Sequence, residues 1–211
     1  MATWRLVRAA ERAGVKRFVF FSVLGASTRS PARLLRAKAV AERAVIESSL
    51  EHTIFAPGWV YAPGDPFLRL TERMSVLPVV PISGPGQARF QPIWAEDVAE
   101  CVLAALPGSP LADRAAGARY ELAGPEILTY EEIVRRALSA AGRQRPLVHV
   151  PAGFVRRLLT ATELLMGPTA FATRDEAELL ELTLTSARGT ADAEALGVVP
   201  RPMSAVLMPQ T

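Results

Sequence analysis

Two side chains in the first forty residues have the type and spacing to do chemistry. Ser22 closes an apolar run, Phe18 to Phe21, and Lys38 lies in the helical pattern that follows a loop of small residues and the Ser30-Pro31 step. A strand end, a small-residue turn and a helix with one lysine near its inward face form the layout of a nucleotide-handling α/β site, where ligands sit at the carboxyl ends of strands. Pro57-Gly58-Trp59-Val60-Tyr61 follows a second strand pattern, His52 to Phe55, and a Pro- and Gly-rich loop there lets backbone approach a ligand closely. Each feature has a plain structural alternative: Lys38 as a snorkelling surface lysine, the loop as a connector. Glu42, one turn after Lys38, offers only the weaker Lys-before-Glu order. His52 and His149 lack metal-ligand spacing, so no metal site is expected. The single cysteine, Cys101, excludes an internal disulfide and reads as a buried, inert thiol in the helical run Asp97 to Leu103.

Placing these residues takes alternating strands and helices. Residues 3–13 read as an amphipathic helix, with Leu6, Val7, Ala9, Ala10 and Ala13 on one side and Gly14 as its C-cap. The strand Arg17 to Ser22 is apolar on both faces, as in a parallel strand covered by helices on each side. Ser30 is placed to cap, and Pro31 to open, a helix to about Ser49. Its apolar stripe is Leu34, Ala37, Ala41, Ala44 and Val45, with Lys38 at the border. Asp65-Pro66 caps a helix through Met74. Val79 to Ile82 and Ala88 to Ile93 read as short strands about a hairpin-like turn, Ser83-Gly84-Pro85-Gly86. A helix from Trp94 to Leu106 follows, its first-turn acids complementing the helix dipole, and then a strand from Arg119 to Leu122. Thr129-Tyr130-Glu131-Glu132 is a capping box opening a helix that stops near Gly142, followed by a strand from Leu147 to Val150. Phe154 to Met166 reads as an amphipathic helix able to dock on a partner or a membrane surface, and Thr173-Arg174-Asp175-Glu176 as a second capping box. The tail from Ala187 is mostly irregular, with Leu196-Gly197-Val198 and Pro200-Arg201-Pro202 packed back on the body. This alternation predicts an α/β fold with a mostly parallel sheet. One domain is expected over 1–211, with 1–110 mainly a sheet-and-helix core and 111–211 mainly a C-terminal subdomain.

Composition narrows the function. A 50% hydrophobic and 21% charged chain can build a packed core. The net charge is +3, and its cations, such as Arg5, Arg8, Arg12, Arg135 and Arg136, are scattered; this excludes a nucleic-acid partner. No run approaches the roughly 20 apolar residues of a membrane span. The start, Met-Ala-Thr-Trp-Arg, lacks a secretory h-region, so a cytoplasmic place is expected. No G-x-G-x-x-G, G-x-S-x-G or P-loop occurs.

A set of pieces in fixed order carries a resemblance. They are Ala13-Gly14-Val15-Lys16-Arg17-Phe18-Val19 with Ser22; Leu35-Arg36-Ala37-Lys38-Ala39-Val40-Ala41-Glu42; Pro57-Gly58-Trp59-Val60-Tyr61 with Gly64-Asp65; Gln91-Pro92-Ile93 with Asp97-Val98-Ala99; Tyr120-Glu121-Leu122-Ala123-Gly124-Pro125 with Leu128-Thr129-Tyr130; and Leu196-Gly197-Val198 with Pro200-Arg201-Pro202. The chain resembles the C-terminal part of an extended or atypical short-chain dehydrogenase/reductase of the NAD(P)-binding Rossmann superfamily. Within it, the chain most resembles bacterial relatives of the NAD(P)-binding accessory subunit of respiratory complex I. The resemblance implies the C-terminal part of a Rossmann-like parallel sheet flanked by helices, with a small α+β C-terminal subdomain for substrate or partner. It implies NAD(P) as cofactor, bound through Ser22, Lys38, Pro57, Gly58 and Val60. Ser22 takes the family's catalytic serine or threonine position, and Lys38 that of the lysine in Y-x-x-x-K. The tyrosine four residues earlier is Leu34 here, which cannot move a proton, so the catalytic roles of Ser22 and Lys38 read as vestigial.

By the same resemblance Met1 falls in the helix before the family's fifth strand, and the strands bearing the glycine turn are missing. The expectation is a fragment or a degenerate homologue whose grip on NAD(P) is in doubt. Arg17 to Ser22 then becomes an apolar sheet edge, open to a protein partner or to self-association. Three functions follow. One is a non-catalytic or weakly active accessory or assembly protein of an NADH:quinone oxidoreductase, peripheral at the inner face of a membrane. The second is a truncated reductase, epimerase or dehydratase, with Tyr61 as stand-in acid/base. The third is an NmrA-like sensor of NAD(P).

Overall fold

The computed structural model describes residues 2–155, 157 and 178–207. In chain order its elements are α1 (Ala2–Arg12), β1 (Arg17–Phe21), α2 (Arg33–Ile46), β2 (Glu51–Pro57), β3 (Val60–Tyr61), α3 (Pro66–Met74), β4 (Val80–Ser83), β5 (Arg89–Phe90), β6 (Ile93–Trp94), α4 (Ala95–Ala105), α5 (Ala112–Ala115), β7 (Arg119–Leu122), β8 (Leu128–Thr129), α6 (Tyr130–Ala140), β9 (Leu147–Val150), α7 (Ala191–Ala195) and α8 (Met203–Val206). They fall into two compact units. The first comprises Met1–Tyr61, Gln91–Glu126 and Thr185–Pro202, and the second Ala62–Phe90, Ile127–Leu184 and Met203–Thr211.

The first unit is built on a parallel three-stranded sheet of order β1-β2-β7. Successive side chains alternate between its faces. Phe18, Phe20 and Ile54 meet Val7 and Ala10 of α1 and Val45 of α2. Val19, Phe55, Tyr120 and Leu122 meet Val98, Cys101 and Ala105 of α4, Ala115 of α5, and Ala193, Leu196 and Val198 of the tail. The continuous apolar reading of β1 therefore matches helices on both sides of the sheet. The tail is pinned as well as packed. Asp97, 1% exposed, accepts from Arg201 N at 2.8 Å and from its Nε at 2.9 Å, and that guanidinium lies 3.8 Å from the Trp94 ring centre. Asp97 is thus more than a complement to the dipole of α4.

Three local expectations are corrected here. In α1 only Val7 and Ala10 are buried, while Leu6, Ala9 and Ala13 are exposed. Helix α2 opens at Arg33 behind Ala32, not at Ser30-Pro31. Ser30 Oγ instead accepts from Ala32 N at 3.2 Å, a local side-chain turn that holds the chain out of the helix. The buried stripe of α2 is Leu35, Ala41, Glu42 and Val45, with Ala37 exposed. The helix is rotated to bring Glu42 onto Arg119 of β7, whose Nε stands 3.3 and 3.1 Å from the two carboxylate oxygens.

The second unit begins with α3, capped as expected: Asp65 Oδ1 accepts from Leu68 N at 2.8 Å, and Pro66 takes the first turn. The capping box of α6 is complete, with Thr129 and Glu132 exchanging bonds. The hairpin expected about Ser83-Gly84-Pro85-Gly86 does not form. Strand β4 pairs in parallel with β9, and β5 pairs antiparallel with β8. Positive φ at Gly84 (65°) and Gly86 (69°) turns the chain away from β4 instead of back along it. Phe154, Val155 and Arg157 apart, the expected helix Phe154 to Met166 lies outside the described residues, as does the capping box Thr173 to Glu176.

Candidate functional site

The chain ends β1 without leaving its neighbour. Ser22 N donates to Phe55 O at 2.7 Å and Leu24 N to Pro57 O at 2.8 Å, so Ser22-Val23-Leu24 runs on beside the carboxyl end of β2. Ser22 is 6% exposed, and its Oγ has no hydrogen-bond partner among the described residues. An unpaired buried hydroxyl costs about 1–3 kcal/mol, so this atom fits a site awaiting a polar ligand.

Lys38 is anchored rather than splayed into solvent. Its Nζ donates to Phe21 O at 2.8 Å and stands 5.4 Å from the Phe20 ring centre. The ammonium is therefore fixed on the residue next to Ser22 and keeps two further N–H groups for a ligand. Leu34, one turn earlier on α2, is half-buried and presents no polar atom.

Pro57 is buried at the end of β2, and Gly58 N donates to Leu122 O at 2.8 Å. A Cβ on Gly58 would lie 2.8 Å from the carbonyl of Gln91, so close backbone packing already requires glycine there. Val60 is 39% exposed and pairs with Ile93 in the two-stranded β3–β6 ladder. The structure thus brings Ser22, Lys38, Pro57 and Gly58 to the carboxyl ends of β1 and β2, with Val60 two residues on. Tyr61 is 1% exposed in the same unit.

Sequence reasoning missed the polar ties around this region. Buried Gln91 accepts from Ser186 N at 2.6 Å and donates to Gly124 O at 3.4 Å. Glu121 accepts from Arg119 at 2.9 Å and from Ser186 Oγ at 2.6 Å. Burial alone would raise the Glu121 carboxyl, but the Ser186 hydroxyl and the Arg119 guanidinium together hold it below 4.5. Cys101 fits its expectation: burial first, then Asp97 and Glu100, push its thiol up to about 12, which leaves it inert.

A pattern describing NAD(P)H-binding proteins matches residues 2–107. Over 131 residues the chain is 38% identical to mitochondrial NADH dehydrogenase (ubiquinone) 1 alpha subcomplex subunit 9 of Arabidopsis thaliana, a match covering 59% of this chain and 31% of that protein. The subunit of the same name from Rattus norvegicus is 26% identical over 202 residues, covering 94% and 52%. The chain spans about a third to a half of the length of these relatives. In shape it matches an NADPH-dependent quinone oxidoreductase of Escherichia coli, solved with NADPH, at TM-score 0.74 and 18% identity over 97% of this chain and 69% of that one. It also matches a UDP-glucose 4-epimerase of Thermotoga maritima, solved with UDP-glucose, at TM-score 0.64 and 17% identity over 97% and 65%. At these identities the likeness in shape establishes the fold alone.

Proposed function

The chain belongs to the NAD(P)H-binding family, and on that premise we propose that it is a non-catalytic or weakly active NAD(P)-handling protein. Its role is that of an accessory or assembly component, as in the NADH dehydrogenase subunit to which it is similar. The observation that carries this reading is a pair with a gap: the unpartnered Ser22 Oγ and the ammonium of Lys38 held on the carbonyl of the preceding residue, Phe21, with Leu34 where a proton donor would stand. Ser22 and Lys38 would hold the nicotinamide ribose, with Pro57, Gly58 and Val60 along that end of the cofactor. The cofactor, when bound as NAD(P)H, would supply a hydride, and reducing a carbonyl or quinone also takes a proton. Leucine has none to give, and Tyr61 is buried, 1% exposed. No G-x-G-x-x-G stands in the 211 residues to grip a pyrophosphate, so the expected affinity is weak.

The outer side of β1 has no strand partner among the described residues, and Phe21 at its end is 45% exposed. This supports association with a protein partner or a second copy through that edge. Among the described residues no helix is long and apolar enough to cross a membrane; attachment to a membrane complex would therefore be peripheral as far as these residues go.

Titration with NADPH, followed by fluorescence, tests the reading. Weak binding lost in both Ser22→Ala and Lys38→Met, with no oxidation of NADPH by added quinones, is the expected result. Steady turnover, or tight binding indifferent to both substitutions, would sink it. Turnover abolished by Tyr61→Phe would favour the truncated reductase instead.

A further inference from the structure

A cluster of arginines in the second unit has no counterpart in the site above. Arg69 and Arg73 lie one turn apart on α3. Beyond α6, Gly142 (φ +68°) closes a C-terminal turn in which its N–H donates to Ser139 O at 2.9 Å and Arg143 N to Leu138 O at 3.0 Å. That turn presents Arg143 toward the same hollow. The hollow has a volume of about 500 Å³ and is lined by Arg69, Glu72, Arg73, Ser75, Val76, Ala141 and Arg143. A second hollow of about 330 Å³ shares Arg69 and Arg73. Arg145 stands at the same rim, its Nε donating to Ser75 O at 2.9 Å.

The structural use of such arginines is to neutralise helix C-termini, and α3 and α6 both end here. Arg145 does this through the Ser75 carbonyl. Arg69, Arg73 and Arg143 do not: among the described residues their guanidiniums enter no ion pair and donate to no carbonyl, and all three residues are exposed. Other arginines of the chain are matched to carboxylates, among them Arg119 with Glu42, Arg135 with Glu131 and Arg201 with Asp97. Here three guanidiniums line a hollow of ligand size with one carboxylate, Glu72, while Arg145 is tied to the Ser75 carbonyl.

We propose that the hollow between the C-terminal ends of α3 and α6 binds a phosphate group, as a soluble phosphorylated metabolite or a phospholipid headgroup, through Arg69, Arg73 and Arg143. Guanidinium forks match phosphate oxygens two at a time, and the shared Arg69 and Arg73 let a ligand extend from one hollow into the next.

The test uses the full chain and pyrophosphate in a calorimetric titration, with sedimentation on phosphatidylglycerol vesicles as a second arm. Saturable binding is expected, weakened about tenfold by Arg73→Gln or Arg143→Gln and strengthened by Glu72→Gln. Lys38→Met should leave it unchanged, which separates this site from the nicotinamide-side one. Binding to pyrophosphate assigns the soluble source. Arginine-dependent binding to vesicles alone assigns the headgroup. No binding in either arm, or binding indifferent to both arginine substitutions in a chain that unfolds like the wild type, overturns the proposal.

Discussion

Gly58 is the residue whose two explanations are easiest to separate. It stands in a loop that a ligand could approach, yet an added Cβ would meet the Gln91 carbonyl at 2.8 Å. Gly124 is tighter still, its Cβ position falling on the carbonyl of Pro92. Neither obstacle is the flexible end of a side chain, so the backbone itself must move. Gly58→Ala should therefore cost about 1–3 kcal/mol in urea unfolding whether or not cofactor is present, and Gly124→Ala more. A Gly58→Ala chain of unchanged stability that binds NADPH poorly would make the glycine a ligand-side residue instead. At this scale the sequence read well wherever the deciding contact is local. Asp65 on Leu68 and Thr129 with Glu132 span only three residues, and helix geometry dictates both. It read poorly where the partner is remote: Glu42 with Arg119 is 77 residues apart and Arg201 with Asp97 is 104.

Strand β1 carries the tension between fold and association. It is apolar from Phe18 onward, yet Phe18 to Phe20 are only half-buried and Phe21 is exposed, whereas β2 beside it is fully buried from Thr53 to Pro57. The difference follows from its place at the rim of the β1-β2-β7 sheet. An apolar rim left without a strand partner among the described residues can recruit another strand. The wild-type chain should self-associate with rising concentration in analytical ultracentrifugation, and Phe21→Lys should shift it toward monomer. A wild type that stays monomeric throughout would leave the edge without that role. The helix that follows shows how small a rotation matters: a stripe read as Leu34, Ala37, Ala41, Ala44 and Val45 is in fact Leu35, Ala41, Glu42 and Val45. Apolar periodicity could not anticipate a buried glutamate whose partner is on another element.

For the whole chain, acid should be the condition that unfolds it. Among the described residues, four glutamates sit below their ordinary value of 4.5. Glu11 is held there by the Ser49 N–H and Glu131 by the Arg135 side chain. The Thr129 N–H does the same for Glu132, and in Glu121 hydrogen bonds outweigh burial. With folded values depressed, the unfolded chain takes up protons first as pH falls. Their stabilisation is present in full above about 4.5 and lost below it, so melting temperature should hold between about pH 7 and 5 and drop below that. Glu121→Gln should blunt the drop; a loss beginning near neutrality would place the pH dependence in other groups.

The alternation of strands and helices, the caps at Asp65 and Thr129 and the inert Cys101 were legible in the residues themselves, because periodicity and short-range hydrogen bonds act within a turn or two; the family was read from the ordered pieces that resemble it. Which strands become neighbours was not, since β4 with β9 in place of a hairpin depends on segments brought together from far along the chain. The same holds for the anchoring of Lys38 on Phe21, the unpartnered hydroxyl of Ser22 and the convergence of three arginines on one hollow. Burial and partnership belong to pairs of residues in space, and no spacing along one chain encodes them.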